Sequence, residues 1–172
     1  NPVSRLDAIA LSDNGSGVAA AGAVAFSGTA TASGTLFVTI GSYLNHRYEL
    51  DVSVGDTATN LGDDLVAAMT ADTKALMSGV NTTGSVAVTA VNKGTIGNAY
   101  SLKVEGAVAG ITVALTAPTS GATNPSVTGV FDVVAGERYQ TVVYPIQYGI
   151  ATLTTSFLDE RWNVDNDVLD GV

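Results

Sequence analysis

Cysteine is absent from this 172-residue chain, and histidine occurs once, as His46. These two facts exclude disulfide bonds, thiolate zinc sites, cysteine nucleophiles and paired histidine ligands. Basic residues are also scarce, because seven Lys and Arg stand against sixteen Asp and Glu, for a formal net charge of -9. Nucleic acid and anionic membranes would be repelled by this charge, so we expect neither as a partner.

Long apolar runs are missing too, since none approaches the roughly 20 residues that span a bilayer. The chain starts with Asn1 and Pro2, without an initiator Met or a signal-like segment, and we expect it to be a fragment of a longer protein. Hydrophobic residues make up 46% and charged residues 13% of the chain. This composition is too apolar for intrinsic disorder and predicts a folded chain.

Short runs of β-branched and aromatic residues alternate with turn residues between positions 23 and 117. They predict strands at 23–26, 35–40, 47–54, 86–91, 100–104 and 111–116. In the third run Tyr48, Leu50, Val52 and Val54 share one face, which we expect to be buried. The strands at 86–91 and 100–104 are predicted to pair with each other.

After residue 57 the apolar period changes from two to about 3.6, which predicts one amphipathic helix. The side chain of Asp56 or Thr57 can cap its start, because an oxygen there can accept the free amide protons of the first turn. The predicted apolar stripe consists of Ala58, Leu61, Leu65, Ala68 and Met69.

The composition changes again after residue 117. Asn124 and Pro125 suit the start of a helix, a strand is predicted at 139–144, and a second helix at about 150–162. We therefore predict an α+β chain in three parts. Residues 1–22 form a linker or entry arm, and residues 23–117 form a mainly antiparallel β domain, a sandwich or small barrel, with one helix. Residues 118–172 form part of an α/β domain.

Two segments resemble ligand sites only loosely. Residues 15–20 (GSGVAA) match the dinucleotide fingerprint G-x-G-x-x-A, but lack a convincing strand before and helix after them, and a flexible linker is the favoured interpretation. The carboxylates near the end lack the spacing of a calcium loop, which favours a solvated tail. They are Asp159, Glu160, Asp165, Asp167 and Asp170.

The remaining candidates also favour structural roles. Adjacent helical residues such as Asp63 and Asp64 point about 100° apart, so they are expected to form a polar face rather than an acid–base pair. His46 is expected to be exposed in a turn, and Trp162 to serve packing. Asn14 and Asn81 begin N-glycosylation patterns, which carry little weight by themselves. We predict no catalytic, cofactor-binding or metal-binding residue, and no enzymatic activity.

The order of several segments resembles the sheath protein of contractile phage tails, of the Mu-like type. The resemblance extends over residues 23–163 and is carried by residues 28–36 (GTATASGTL), 54–58 (VGDTA), 92–98 (NKGTIGN), 121–125 (GATNP), 139–145 (YQTVVYP) and 161–163 (RWN). The chain departs from the usual pattern at Ser126, where an acidic residue commonly follows Asn-Pro. It also lacks the long terminal arms that link sheath subunits.

The resemblance implies a structural subunit of the virion, without a cofactor. Its β-rich part would lie on the outer surface of the sheath, and its α/β part would begin the conserved inner portion. The partners would be other sheath subunits and the tail tube, and the fragment alone is expected to be monomeric or weakly associated. The alternative is a surface-displayed β-sandwich module that binds a glycan or a protein.

Overall fold

The computed structural model describes residues 9–42, 45–127 and 129–130. The chain divides into two compact units, one formed by Gly15–Thr123 and the other by Asn1–Asn14 together with Asn124–Val172. The strand and helix predicted at 139–144 and 150–162 lie outside the described residues, as do Trp162 and the five carboxylates near the end. The three-part division of the chain stays a prediction.

The unit formed by residues 15–123 is mainly antiparallel β-structure with one α-helix, as predicted. Its strands are β1 (Ala21–Gly28), β2 (Gly34–Gly41), β3 (Asn45–Val52), β4 (Met77–Thr82), β5 (Ser85–Ala90), β6 (Ser101–Glu105) and β7 (Ile111–Thr119). Helix α1 spans Ala58–Ala71, and a short 3-10 helix spans Thr95–Ala99. The strands form a four-stranded sheet in the order β4-β5-β1-β7 and a three-stranded sheet in the order β3-β2-β6.

Strands β2 and β3, which correspond to the strands predicted at 35–40 and 47–54, form an antiparallel pair with Gly41 opposite Asn45. The alternation of β3 places Tyr48, Leu50 and Val52 in the core. The prediction that Val54 is buried on the same face is wrong, because β3 ends at Val52 and the side chain of Val54 is 65% exposed.

Helix α1 begins where the sequence predicts and is capped by Thr57. The hydroxyl of Thr57 accepts a bond from the amide of Asn60, and the side chain of Asn60 accepts one from the amide of Thr57 at 2.9 Å. This reciprocal pair satisfies donors that a helix start leaves free. The stripe is buried at Leu61, Leu65 and Met69, each 2% exposed or less.

The inner faces of both sheets and the helix share one core. Helix α1 packs against β4 of one sheet and β3 of the other, and these two strands are sheet edges. At the opposite side β6 and β7, the other two edges, lie next to each other. The helix therefore covers the side on which the two sheets would otherwise leave the core open.

Two strand predictions differ from the structure. The predicted pairing of 86–91 with 100–104 is wrong, since β5 pairs with β4 and β1, whereas β6 pairs with β2 in the other sheet. The connection through the 3-10 helix carries the chain from one sheet to the other. Strand β4 was not predicted, because Gly79 and Asn81 interrupt the apolar alternation of its inward face.

The edges of the unit also extend beyond the predicted strands. Residues 18–22 are not a flexible linker: Val18 pairs with Ala122, Ala20 is fully buried, and β1 begins at Ala21. The change of composition after residue 117 does not mark the end of the last strand, because β7 continues to Thr119. Residues 125–127 are not helical, so a helix does not start at Pro125.

We expect Leu65→Asp to lower the free energy of unfolding by about 3–5 kcal/mol, because it places an unpaired charge at a fully buried position of α1. Urea denaturation followed by circular dichroism measures the change. Ala67→Asp is the matched control, since Ala67 lies on the exposed side of the same helix and the charge change is identical. Equal losses in both variants would contradict the burial of this stripe.

Candidate functional site

Three side chains meet where the C-terminal end of α1 reaches β3. The Nδ1 atom of His46 lies 2.6 Å from the Oδ2 atom of Asp72, and the hydroxyl of Tyr48 donates to the same oxygen at 3.2 Å. The other carboxylate oxygen of Asp72 accepts the backbone amide of Lys74 at 2.9 Å. Both oxygens of this carboxylate are therefore engaged, and we call the set His46, Tyr48 and Asp72 the carboxylate cluster.

The sequence predicts an exposed imidazole in a turn, and this is wrong. His46 is the second residue of β3, on the same face as Tyr48, and its side chain is only 18% exposed. Asp72 is the C-cap of α1 and was not singled out by the sequence. The two residues are 26 positions apart, so only the packing of the helix against β3 brings them together.

The electrostatics of the carboxylate cluster follow from its hydrogen bonds. The bond from the amide of Lys74, followed by that from His46, holds the pKa of Asp72 below its usual value. Burial, followed by the charge of Asp72 and the bond to it, raises the pKa of Tyr48 to about 12. Asp72 is thus ionised and Tyr48 is protonated at neutral pH. This is the combination in which the Asp72 carboxylate accepts hydrogen bonds from both His46 and Tyr48.

The carboxylate cluster has the parts of an aspartate–histidine pair that could move a proton. An ionised carboxylate only accepts hydrogen bonds, so Nδ1 of His46 carries the proton in the contact with Asp72. The other ring nitrogen, Nε2, takes no part in this contact. The same bonds join β3 to α1 across the helix-covered side of the core. Within the described ranges, no group of three or more His, Cys, Asp or Glu side chains is placed to hold a metal ion.

A second polar cluster joins the first turns of α1 to the hairpin of β4 and β5. The side-chain nitrogen of Asn81 donates to the backbone carbonyl of Thr59 at 3.1 Å and to the carboxylate of Asp63 at 2.8 Å. The side-chain oxygen of Asn81 accepts the backbone amide of Gly84 at 2.9 Å. A Cβ atom at position 62 would lie about 2.5 Å from the side-chain oxygen of Asn81, so a larger residue than Gly62 would displace Asn81 from these hydrogen bonds. Helix α1 is therefore held to β4 by Asn81 and to β3 by Asp72.

The structure also shows where the other residues considered in the sequence analysis lie, namely Asp63, Asp64, Asn81 and Asn14. Asp63 accepts from Asn81, whereas Asp64 is exposed on α1, so the two carboxylates do not act as a pair. Glycosylation of Asn81 would replace one of the amide hydrogens that its two donor bonds use. Asn14 donates to the carbonyl of Asn124 at 3.4 Å.

The two ends of the unit formed by residues 15–123 meet. Val18 and Ala122 exchange two backbone hydrogen bonds of 2.9 and 3.0 Å. The side chain of Asn98 both donates to the carbonyl of Gly121 and accepts its amide, at 2.9 and 2.7 Å. Entry and exit of the chain are thus fixed side by side, and the segments before and after the unit group together as one other unit. The unit has the chain order of an inserted domain.

Comparison with known proteins adds no assignment. No protein-family model matches the chain, and no curated protein sequence matches it significantly. In the described part of the chain, no helix combines the length and the apolar character needed to cross a bilayer.

We expect the stabilising effect of the carboxylate cluster to depend on pH. Because the pKa of Asp72 is lowered on folding, its contribution is present above the ordinary value of 3.8 and is lost as the pH falls through the folded-state value. Asp72→Asn should therefore be less stable than the parent at neutral pH, and the difference should shrink below about pH 4. Urea midpoints from neutral to acid pH measure it.

Asp64→Asn is the control, since it makes the same chemical change on the exposed side of α1. A loss in Asp72→Asn that stays constant from neutral to acid pH would show that the charge of Asp72 does not matter.

The meeting of the two ends predicts that residues 15–123 fold as an isolated polypeptide. We expect this piece to unfold cooperatively, with a free energy of unfolding about 2–4 kcal/mol above that of a piece with residues 23–117. The shorter piece loses the Val18–Ala122 pair, the buried Ala20 and the buried Pro118. Circular dichroism in urea compares them, and equal stability would show that the paired ends contribute nothing.

Proposed function

We propose that this chain is part of the structural subunit of a contractile phage tail sheath, located in the virion. The observation that carries the proposal is the chain order of the unit formed by residues 15–123, which we call the β unit. Residues 15–123 interrupt a unit formed by the flanking segments, and their ends are joined by the Val18–Ala122 pair. A domain inserted in this way can project from an assembling subunit without disturbing the body of that subunit.

The resemblance over residues 23–163 supports the same proposal. It implies an outer β-rich domain and an inner α/β portion, and the observed β unit has the composition and fold class expected of the outer domain. The carboxylate cluster and the Asn81 contacts also fit a mechanical part. Each of them joins α1 to a strand, so both stiffen the unit.

In this proposal the function is mechanical. Many copies of the subunit form a helical sleeve around the tail tube, and the sleeve changes to a shorter and wider lattice during infection. The free energy of contraction comes from small differences in contacts between two lattice states, multiplied over all copies. The β unit would move as a rigid body, because α1 closes its core and is held at both ends.

The proposal predicts that the complete gene product carrying this chain forms hollow helical sleeves visible by electron microscopy. Leu65→Asp should abolish sleeves because it unfolds the β unit, whereas Ala67→Asp should leave them intact. Absence of sleeves together with specific binding to an immobilised glycan array would contradict the sheath and favour an adhesion module. That binding should then be lost on substitution of surface polar residues while folding is kept.

A further inference from the structure

Two non-glycine residues with a left-handed backbone lie where the chain leaves the β unit. The φ angle is 67° at Ser120 and 57° at Thr123. Both belong to the four residues 120–123 that follow β7, which we call the exit segment. A side chain makes this range of backbone angles unfavourable, most of all the β-branched side chain of threonine. The exit segment is therefore held in a strained conformation.

The strain at the exit segment differs from that in the turn between β4 and β5. That turn consists of Thr83 and Gly84, both with positive φ, as the tight turn of a β-hairpin requires. In the described part of the chain, Thr83 is the one other non-glycine residue with a positive φ. The exit segment follows the last described strand and closes no hairpin, so contacts with other segments must hold its angles.

Hydrogen bonds to distant parts of the chain hold the exit segment in place. The side chain of Asn98 donates to the carbonyl of Gly121 at 2.9 Å and accepts its amide at 2.7 Å. Ala122 and Val18 exchange two backbone hydrogen bonds, and the carbonyl of Val18 also accepts the amide of Gly94 at 3.0 Å. Gly121 is buried, and a Cβ atom there would collide with the carbonyl oxygen of Gly94. A fixed set of polar contacts thus offsets the strain.

We propose that the exit segment is a clasp with a second, open state. In the open state Ser120 and Thr123 take ordinary backbone angles, water replaces the bonds to Asn98 and Val18, and both sheets stay folded. The side chains of Ser120 and Thr123 are exposed, so their relaxation disturbs no packing. Pro118, near the end of β7, is fully buried and marks the point at which opening stops.

Opposing contributions set the balance between the closed and open states. Relaxation of one left-handed residue favours the open state by about fivefold to thirtyfold. The hydrogen bonds and the burial of Gly121 favour the closed state. We expect the open state in about 0.1–1% of molecules. The chain can then leave the β unit in another direction while the core stays closed. This inference goes beyond the proposed sheath function and does not rest on it.

The test is amide hydrogen exchange of the chain 1–172, followed by NMR without urea and at low urea concentrations. We expect the amides of Val18, Gly94, Gly121 and Ala122 to share a protection factor of roughly 10² to 10³. It should be at least about tenfold below those of β1 and β5 and nearly independent of urea, because local opening exposes little surface. Equal protection and equal urea dependence of the two groups would overturn the proposal.

Thr123→Asn tests the contribution of the strain. Asparagine lacks the β branch and tolerates left-handed angles, so this variant should raise the four protection factors by about threefold to tenfold. Thr119→Asn is the matched control, because Thr119 is exposed in β7 without a positive φ and the chemical change is identical. The control should not raise them. A rise in both variants, or in neither, would overturn the proposal.

Asn98→Ala tests the hydrogen bonds of the clasp. Loss of both bonds to Gly121 should lower the protection factors of Gly121 and Ala122 at least about tenfold, with the fold kept as judged by circular dichroism. Unchanged protection would overturn the proposal. If Asn98→Ala does not fold, the comparison of Thr123→Asn with Thr119→Asn decides, because both of these changes are made at exposed positions.

Discussion

The burial of one stripe of helix α1 is the interaction on which the β unit depends. Two open sheets enclose a core between them, and the side bounded by the edge strands β3 and β4 has no strand to close it. Leu61, Leu65 and Met69 supply the apolar surface that keeps water out of that side. The helix is short, and its stability comes mainly from this packing rather than from its own propensity. The Thr57 cap fixes where it begins, and Asn81 and Asp72 fix how it lies on each sheet.

The polar contacts around α1 involve groups of a kind that can carry chemistry, and each contact joins the helix to a strand. An aspartate and a histidine at 2.6 Å are the usual parts of a proton-transfer pair, yet here each comes from one of the two elements that must be joined. A carboxylate at the C-terminal end of a helix is disfavoured by the helix dipole. The donors from Lys74, His46 and Tyr48 offset that cost and keep Asp72 ionised. The same arrangement keeps α1 attached to β3, which would suit the rigid unit of the proposed sheath function.

Charge is distributed unevenly over the unit, and this organises its surface. The outer face of β3-β2-β6 is charged, whereas the outer face of β4-β5-β1-β7 is neutral. The ends of the unit meet at Val18 and Ala122. A β unit attached in this way through adjacent ends can present its faces to neighbours. In the proposed sheath, contacts that are weak for one pair of subunits would become strong through repetition.

Local patterns in the sequence predict the class of fold, most strand positions and the helix with its cap. These features follow from local patterns: the alternation of Tyr48, Leu50 and Val52 has a period of two, and Leu61, Leu65 and Met69 follow a period of about four. Long-range packing, which local patterns do not report, pairs β6 with β2, makes β4 a strand and brings His46 to Asp72. Each of these three features depends on segments far apart in the chain. The apolar period of a segment indicates which of its faces is buried, but it does not indicate which neighbouring segment buries that face. The paired ends and the uncharged outer face of β4-β5-β1-β7 also depend on long-range pairing, because a row such as Val80, Ala87, Ala23 and Thr116 becomes a surface only when the register of four strands aligns it.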